Sequence, residues 1–147
     1  MKKNLAFIKR FGARQVSFAA LPPSARLALA CYCHDVHGKD SKDEAMLREA
    51  MDEAREKFRC RKFWIASIPM AALQAEIVAR GLEGAPFPYA DFAAYHEWYV
   101  KQGGIPDHGD SHWPCVLSEY DDEVFEDGWH RFHSYVQKGH RTVLVVF

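Results

Sequence analysis

The sequence predicts an α+β protein, on three observations. Residues 1–61 hold stretches with apolar residues at helical spacing. From Lys62 onward, short runs of strand composition alternate with helical ones. Their order, strand–helix–helix–strand–strand–helix–strand, lacks the strict repeat that a wholly parallel α/β sheet would show.

Taken in order, residues Met1 to Ala20 leave two options open. Leu5 to Ile8 and Gln15 to Phe18 fit short strands, or the first begins a helix. Pro22 and Pro23 break the pattern, and Ser24 as cap or Pro23 in the first turn starts a helix carrying Leu27, Leu29, Ala30 and Val36, closed by Gly38. Ser41 followed by Glu44 forms a capping box for a second helix, where Met46, Leu47, Ala50, Ala54 and Phe58 continue to Arg59. Phe63 to Ile68 is a strand stopped by Pro69, and Pro69 opens a helix through Leu73 and Ile77 that ends at Gly81. Gly84 to Pro88 is loop, Tyr89 to Val100 an aromatic helix ended by Gly103-Gly104, and Ile105 to His112 a polar loop. Trp113 to Ser118 and Glu123 to Phe125 pair as a hairpin across Tyr120-Asp121-Asp122. A helix to Gly139 and a strand from Thr142 to Phe147 complete the chain.

With 147 residues the chain suits one domain, since domains commonly run to about 100–150 residues. A hydrophobic content of 48% supplies core material. Nineteen basic against twenty acidic residues give a net charge of −1. Without a Lys/Arg cluster, duplex DNA binding by this chain alone is disfavoured. Four scattered cysteines do not make a disulfide framework, and no secretory leader or membrane span is evident, so a cytoplasmic location and no membrane partner are expected.

The densest polar cluster is Glu126-Asp127-Gly128-Trp129-His130-Arg131. Val124-Phe125 runs into a turn where Gly128 can take backbone angles closed to other residues. A helix starting there presents unpaired N–H groups, a natural seat for phosphate, and Arg131 adds a fork of donors. The alternative is a purely structural turn, with Asp127 as cap and Arg131 paired to Glu126 or Asp127.

Phe125 to Gly139 followed by Thr142-Val-Leu-Val-Val resembles the ParB/sulfiredoxin-like superfamily, whose members carry a strand, Asp-Gly-x-His-Arg, a short helix with a small residue (here Ser134), a glycine and a final strand. Trp64 to Pro69 resembles that family's first strand. The resemblance implies a small mixed sheet with packed helices over residues 62–147, behind a mainly helical extension over residues 1–61. It implies a pocket for CTP or ATP/ADP with Mg²⁺: Gly128 as backbone cradle, Trp129 beside it, and His130 and Arg131 on the phosphates. Asp127 would be a turn-former or metal-side carboxylate, and Asp127 and Glu126 are candidates for the catalytic acid, alongside Glu119, Asp121 and Asp122. Three positions depart from the family. Trp129 stands where sulfiredoxins need their cysteine, which excludes sulfinic-acid reduction. No helix-turn-helix module follows, and Leu144 replaces the usual proline of the last strand.

Two other clusters hold ligand-type residues. Cys31, Cys33, His34 and His37 could contribute to a zinc site, though buried thiols and surface histidines explain them more simply. Asp110 and His112, within Asp107 to His112, resemble a hard-metal loop, with a solvated loop as the plainer account. Two functions follow as expectations: a nucleotide-binding ParB-like enzyme or switch, acting as an NTPase or phosphotransferase, or a non-catalytic accessory or inhibitor factor of a mobile element that keeps the fold for a protein partner.

Overall fold

Period-two burial along the strands sets the layering. In the computed structural model, which describes residues 2–34, 36, 43–80, 91–103 and 113–147, Phe63 and Ile65 face one apolar cluster while Ala66 and Ile68 face another. Val143 and Val145 likewise oppose Val146. Both faces of the sheet are therefore covered, which is why these strands carry so few polar residues.

The described elements are α1 (Lys3–Lys9), β1 (Arg14–Ser17), a 3-10 turn (Phe18–Ala20), α2 (Pro23–Cys33), α3 (Glu44–Lys57), β2 (Lys62–Pro69), α4 (Met70–Arg80), α5 (Phe92–Gly103), β3 (Cys115–Leu117), β4 (Phe125–Asp127), α6 (Trp129–Gln137) and β5 (Thr142–Val146). Their five strands form one mixed sheet in the order β1-β2-β5-β3-β4. β5 runs antiparallel to β2 and parallel to β3, so the sheet is α+β as expected. Residues of α1, α4, α5 and α6 fill one cluster; those of α2 and α3 fill the other. None of the described helices is long and apolar enough to cross a membrane.

The N-terminal helices pack on the two faces of the sheet. β1 pairs with β2, Phe7 and Ile8 join the α4–α6 cluster, and α2 with α3 makes the second layer. Residues on both sides of position 61 thus share both clusters. The first segment, Leu5 to Ile8, is helical, because its apolar residues meet one face at helical spacing. The cap of α3 is Asp43 and not Ser41: its carboxylate accepts from Ala45 N and Met46 N at 3.0 and 3.1 Å. Ser41, Gly38, Gly81, the 84–88 loop and the start of the aromatic helix before Asp91 lie outside the described residues.

A buried side chain ties α1 to the β3–β4 hairpin. Asn4 Nδ2 donates to the carbonyls of Ser118, Glu123 and Val124 at 2.7, 3.0 and 3.2 Å. Asn4→Ala leaves those carbonyls without that donor and is expected to lower unfolding stability by about 1–3 kcal/mol in urea titrations. A loss below a few tenths of that range would show that water replaces the amide freely.

Candidate functional site

The Asp-Gly turn forms where the sequence places it. Gly128 has φ +105°, in the region that disfavours side chains, and it opens α6 as its N-cap. No side chain caps that terminus, and no acid occupies the first turn. Among the described residues, then, the positive end of the helix dipole has no side-chain counterpart on its own element.

Strand alternation divides the acidic pair. Phe125 faces the α6 layer, so Glu126 points to the opposite face, where its Oε1 accepts from the Tyr32 hydroxyl of α2 at 2.5 Å. That hydrogen bond to a carboxylate is the largest cause holding the Tyr32 phenol above its ordinary pKa. Asp127 instead faces Arg131, with Nη2 to Oδ2 at 3.8 Å. The two candidate acids are not brought together.

Arg131 is committed inside the protein. Its Nη1 donates to Pro114 O at 2.6 Å, its guanidinium lies 5.6 Å from the Trp113 ring centre, and its side chain is 12% exposed. A Cβ on Gly128 would stand 3.0 Å from Arg131 Nη1 and 3.2 Å from both Cα and Sγ of Cys115. The crook of the turn is thus filled by the arginine and by β3. This matches the structural alternative for Arg131 as far as Asp127 is concerned; the pairing with Glu126 does not form. Trp129 serves packing: its Nε1 donates to Phe125 O at 3.2 Å and its ring meets Phe125 edge-on. Within Asp127 to Arg131, His130 alone is exposed, with Nδ1 3.4 Å from the Tyr99 hydroxyl.

Cys115 and the His96–His133 pair were not singled out as site residues from the sequence. Cys115 lies against Gly128, its Sγ 3.5 Å from the glycine carbonyl, and burial pushes its thiol up to about 12. It is a neutral packing group at neutral pH, so a reactive thiolate does not return by this route. His133, on the buried face of α6, meets His96 of α5 at 2.7 Å between Nδ1 atoms, with rings nearly coplanar at 11°. Tyr99 stacks on His133 at 3.7 Å. The i,i+3 spacing from His130 was visible; the partner on α5, 37 positions away, was not.

Asp110, His112 and His37 lie outside the described residues. Cys31 is buried, Cys33 partly so, and His34 Nδ1 pairs with Glu53 at 2.9 Å. Among the described residues no three His, Cys, Asp or Glu side chains converge as metal ligands. Among the described residues, one cleft of about 290 Å³ lies against Glu126 and another of about 290 Å³ along β5, and neither is lined by Gly128, His130 or Arg131. Compared with protein families, characterised proteins and solved structures, the chain gives no match.

Proposed function

We propose that the chain is a ParB-like module that binds a nucleoside di- or triphosphate (CTP, ATP or ADP) through the first turn of α6. One observation carries the reading: α6 starts at an uncapped, positive-φ glycine, with His130 exposed in the turn. The succession β4, Gly128 turn, α6, Gly139 and β5 agrees with the resemblance of the motif. In this proposal the N–H groups of Trp129 and His130 and the His130 imidazole hold the phosphates. Arg131 shapes the turn from behind. Mg²⁺ would accompany the nucleotide, but the described residues offer it no converging ligand set, and no catalytic step is assigned to Glu126 or Asp127, which face apart.

Calorimetric and thermal-shift titration with CTP, ATP and ADP, each with Mg²⁺, tests it. A nucleotide at about 100-fold its Kd raises unfolding stability by about 2.7 kcal/mol. His130→Ala is expected to weaken binding at least about tenfold, the worth of one charge-assisted hydrogen bond, with little change in intrinsic stability because the side chain is exposed. Binding that survives His130→Ala unchanged places the phosphates elsewhere.

The internal commitment of Arg131 favours a second reading, the non-catalytic interaction factor that retains the fold. It expects no shift with any of the three nucleotides at millimolar concentration.

A further inference from the structure

The cleft on the α2–α3 side of the sheet is independent of the α6 turn and is built differently. It encloses about 290 Å³ between α2, the end of α3 and the β3–β4 hairpin. Its floor is apolar, from Leu29, Phe63 and Val116, and its rim carries Tyr32, Tyr120 and Phe147. The volume is near the lower end for ligand sites, which run to about 300–1,000 Å³, so the occupant is small.

The charges at the rim decide its chemistry. Glu119 is already answered twice: Arg61 Nη2 and Lys2 Nζ each lie 3.7 Å from its carboxylate. Arg61 is also stacked, 4.6 Å from the Phe63 ring centre and 5.5 Å from that of Phe58. Glu126 differs. Among the described residues it has no cationic partner; the neutral Tyr32 hydroxyl holds its Oε1 and fixes the carboxylate's direction. Among the described residues, the carboxylate here left without an ion-pair partner is therefore Glu126, oriented by Tyr32 and set among π faces. An anion would meet Glu126, with Arg61 and Lys2 already engaged at Glu119. A neutral apolar molecule would use the floor and leave Glu126 unanswered. Lys2 shows what this rim accepts: its ammonium lies 6.0 Å from the Phe147 ring centre while bridging to Glu119.

We propose that this cleft binds a small organic ammonium, with the cation against Glu126 and the Tyr120 and Phe147 rings and its apolar body on the Val116–Phe63 floor. Tyr32 is a positioning residue, since it orients Glu126 without needing to touch the ligand.

The test uses the full chain and three probes of one shape: 2-phenylethylammonium, 2-phenylethanol and phenylacetate, titrated while backbone amide NMR shifts are followed. The ammonium is expected to shift the amides of Tyr32, Tyr120 and Glu126 saturably at about millimolar concentration. The alcohol should bind at least about tenfold more weakly and the acid more weakly still. Glu126→Gln, at an exposed position, should remove the ammonium's advantage over the alcohol while thermal unfolding stays put. Tyr32→Phe keeps the charge and frees its direction, so the ammonium's preference should shrink but persist. Equal binding of ammonium and alcohol, no saturable shift with the ammonium, or an unchanged preference in Glu126→Gln overturns the proposal. None of these outcomes bears on nucleotide binding at α6.

Discussion

Between pH 7.5 and pH 5 the protein is expected to lose about 2 kcal/mol of unfolding stability through His133 alone, and His133→Phe is expected to abolish that part of the loss. The cause is the coplanar His96–His133 pair. His133 is fully buried and its Nε2 has no hydrogen-bond partner among the described residues. A proton on Nε2 would be a buried, unpaired donor, so His133 keeps its proton on Nδ1 and donates to His96 Nδ1. Charging His133 puts a donor on Nε2 with nothing to receive it. Charging His96 sets two N–H groups face to face at 2.7 Å. Among the described residues, the titratable groups facing the pair are His130 from α6 and Tyr95 and Tyr99 from α5, with no carboxylate among them. Burial first, then the charges of His96 and His130, push His133 down to about 3, and burial lowers His96 as well.

The sign follows from linkage. A histidine whose folded pKa lies below its unfolded value of about 6.5 takes up protons on unfolding, so its contribution is complete above pH 6.5 and declines as pH falls toward the folded value. Each pH unit in that window is worth up to about 1.4 kcal/mol, a large share of the 5–15 kcal/mol that holds a domain together. Urea titrations of wild type and His133→Phe at both pH values measure it. Because carboxylates titrate in both proteins, the difference between the two slopes isolates the histidine; identical slopes would mean that water or a rearranged α5 satisfies the charged ring.

These particulars mark what a sequence can show. The positive-φ turn at Gly128 was legible because Asp-Gly preferences are local. The strand at Phe63 to Ile68 was legible too, from its strand composition and the stop at Pro69, and so was the hairpin. The cap of α3 was misassigned by two positions, because Ser41 and Asp43 are both competent caps and only the helix's first hydrogen bond decides between them. At the motif, the expected strand ended at Phe125, whereas β4 runs Phe125–Asp127, and its alternation sends Glu126 and Asp127 to opposite faces. The sequence could not show what waits on each side: Tyr32, 94 positions away, and Arg131 within one turn. Arg131 illustrates the limit most clearly. Its donors suit a phosphate, yet the Pro114 carbonyl, brought over by β3 pairing with β4, takes one of them. Local chemistry names what a side chain can do, whereas non-local pairing decides whether it is free to do it.

The filled crook of that turn leads to the second large effect. Gly128→Ala is expected to destabilise the protein by about 2–4 kcal/mol: about 1–2 for an L residue in left-handed backbone, and the remainder from a methyl pressed against the Cys115 backbone. Gly139 provides the internal control. It also has positive φ, +72°, but a Cβ there would meet nothing within 4 Å. Gly139→Ala should therefore show the backbone part alone, about 1–2 kcal/mol. Urea unfolding of the two variants separates strain from packing, and equal losses would show that the Gly128 crook is open enough to yield. The contrast also governs how binding at α6 must be probed. Arg131→Ala empties the same crook, frees Asp127 and leaves the Pro114 carbonyl without its donor, so lost binding in that variant would report a collapsed turn as readily as a lost ligand contact. His130 projects outward from the same turn without holding it together. It is the position at which recognition can be changed while the scaffold stays intact.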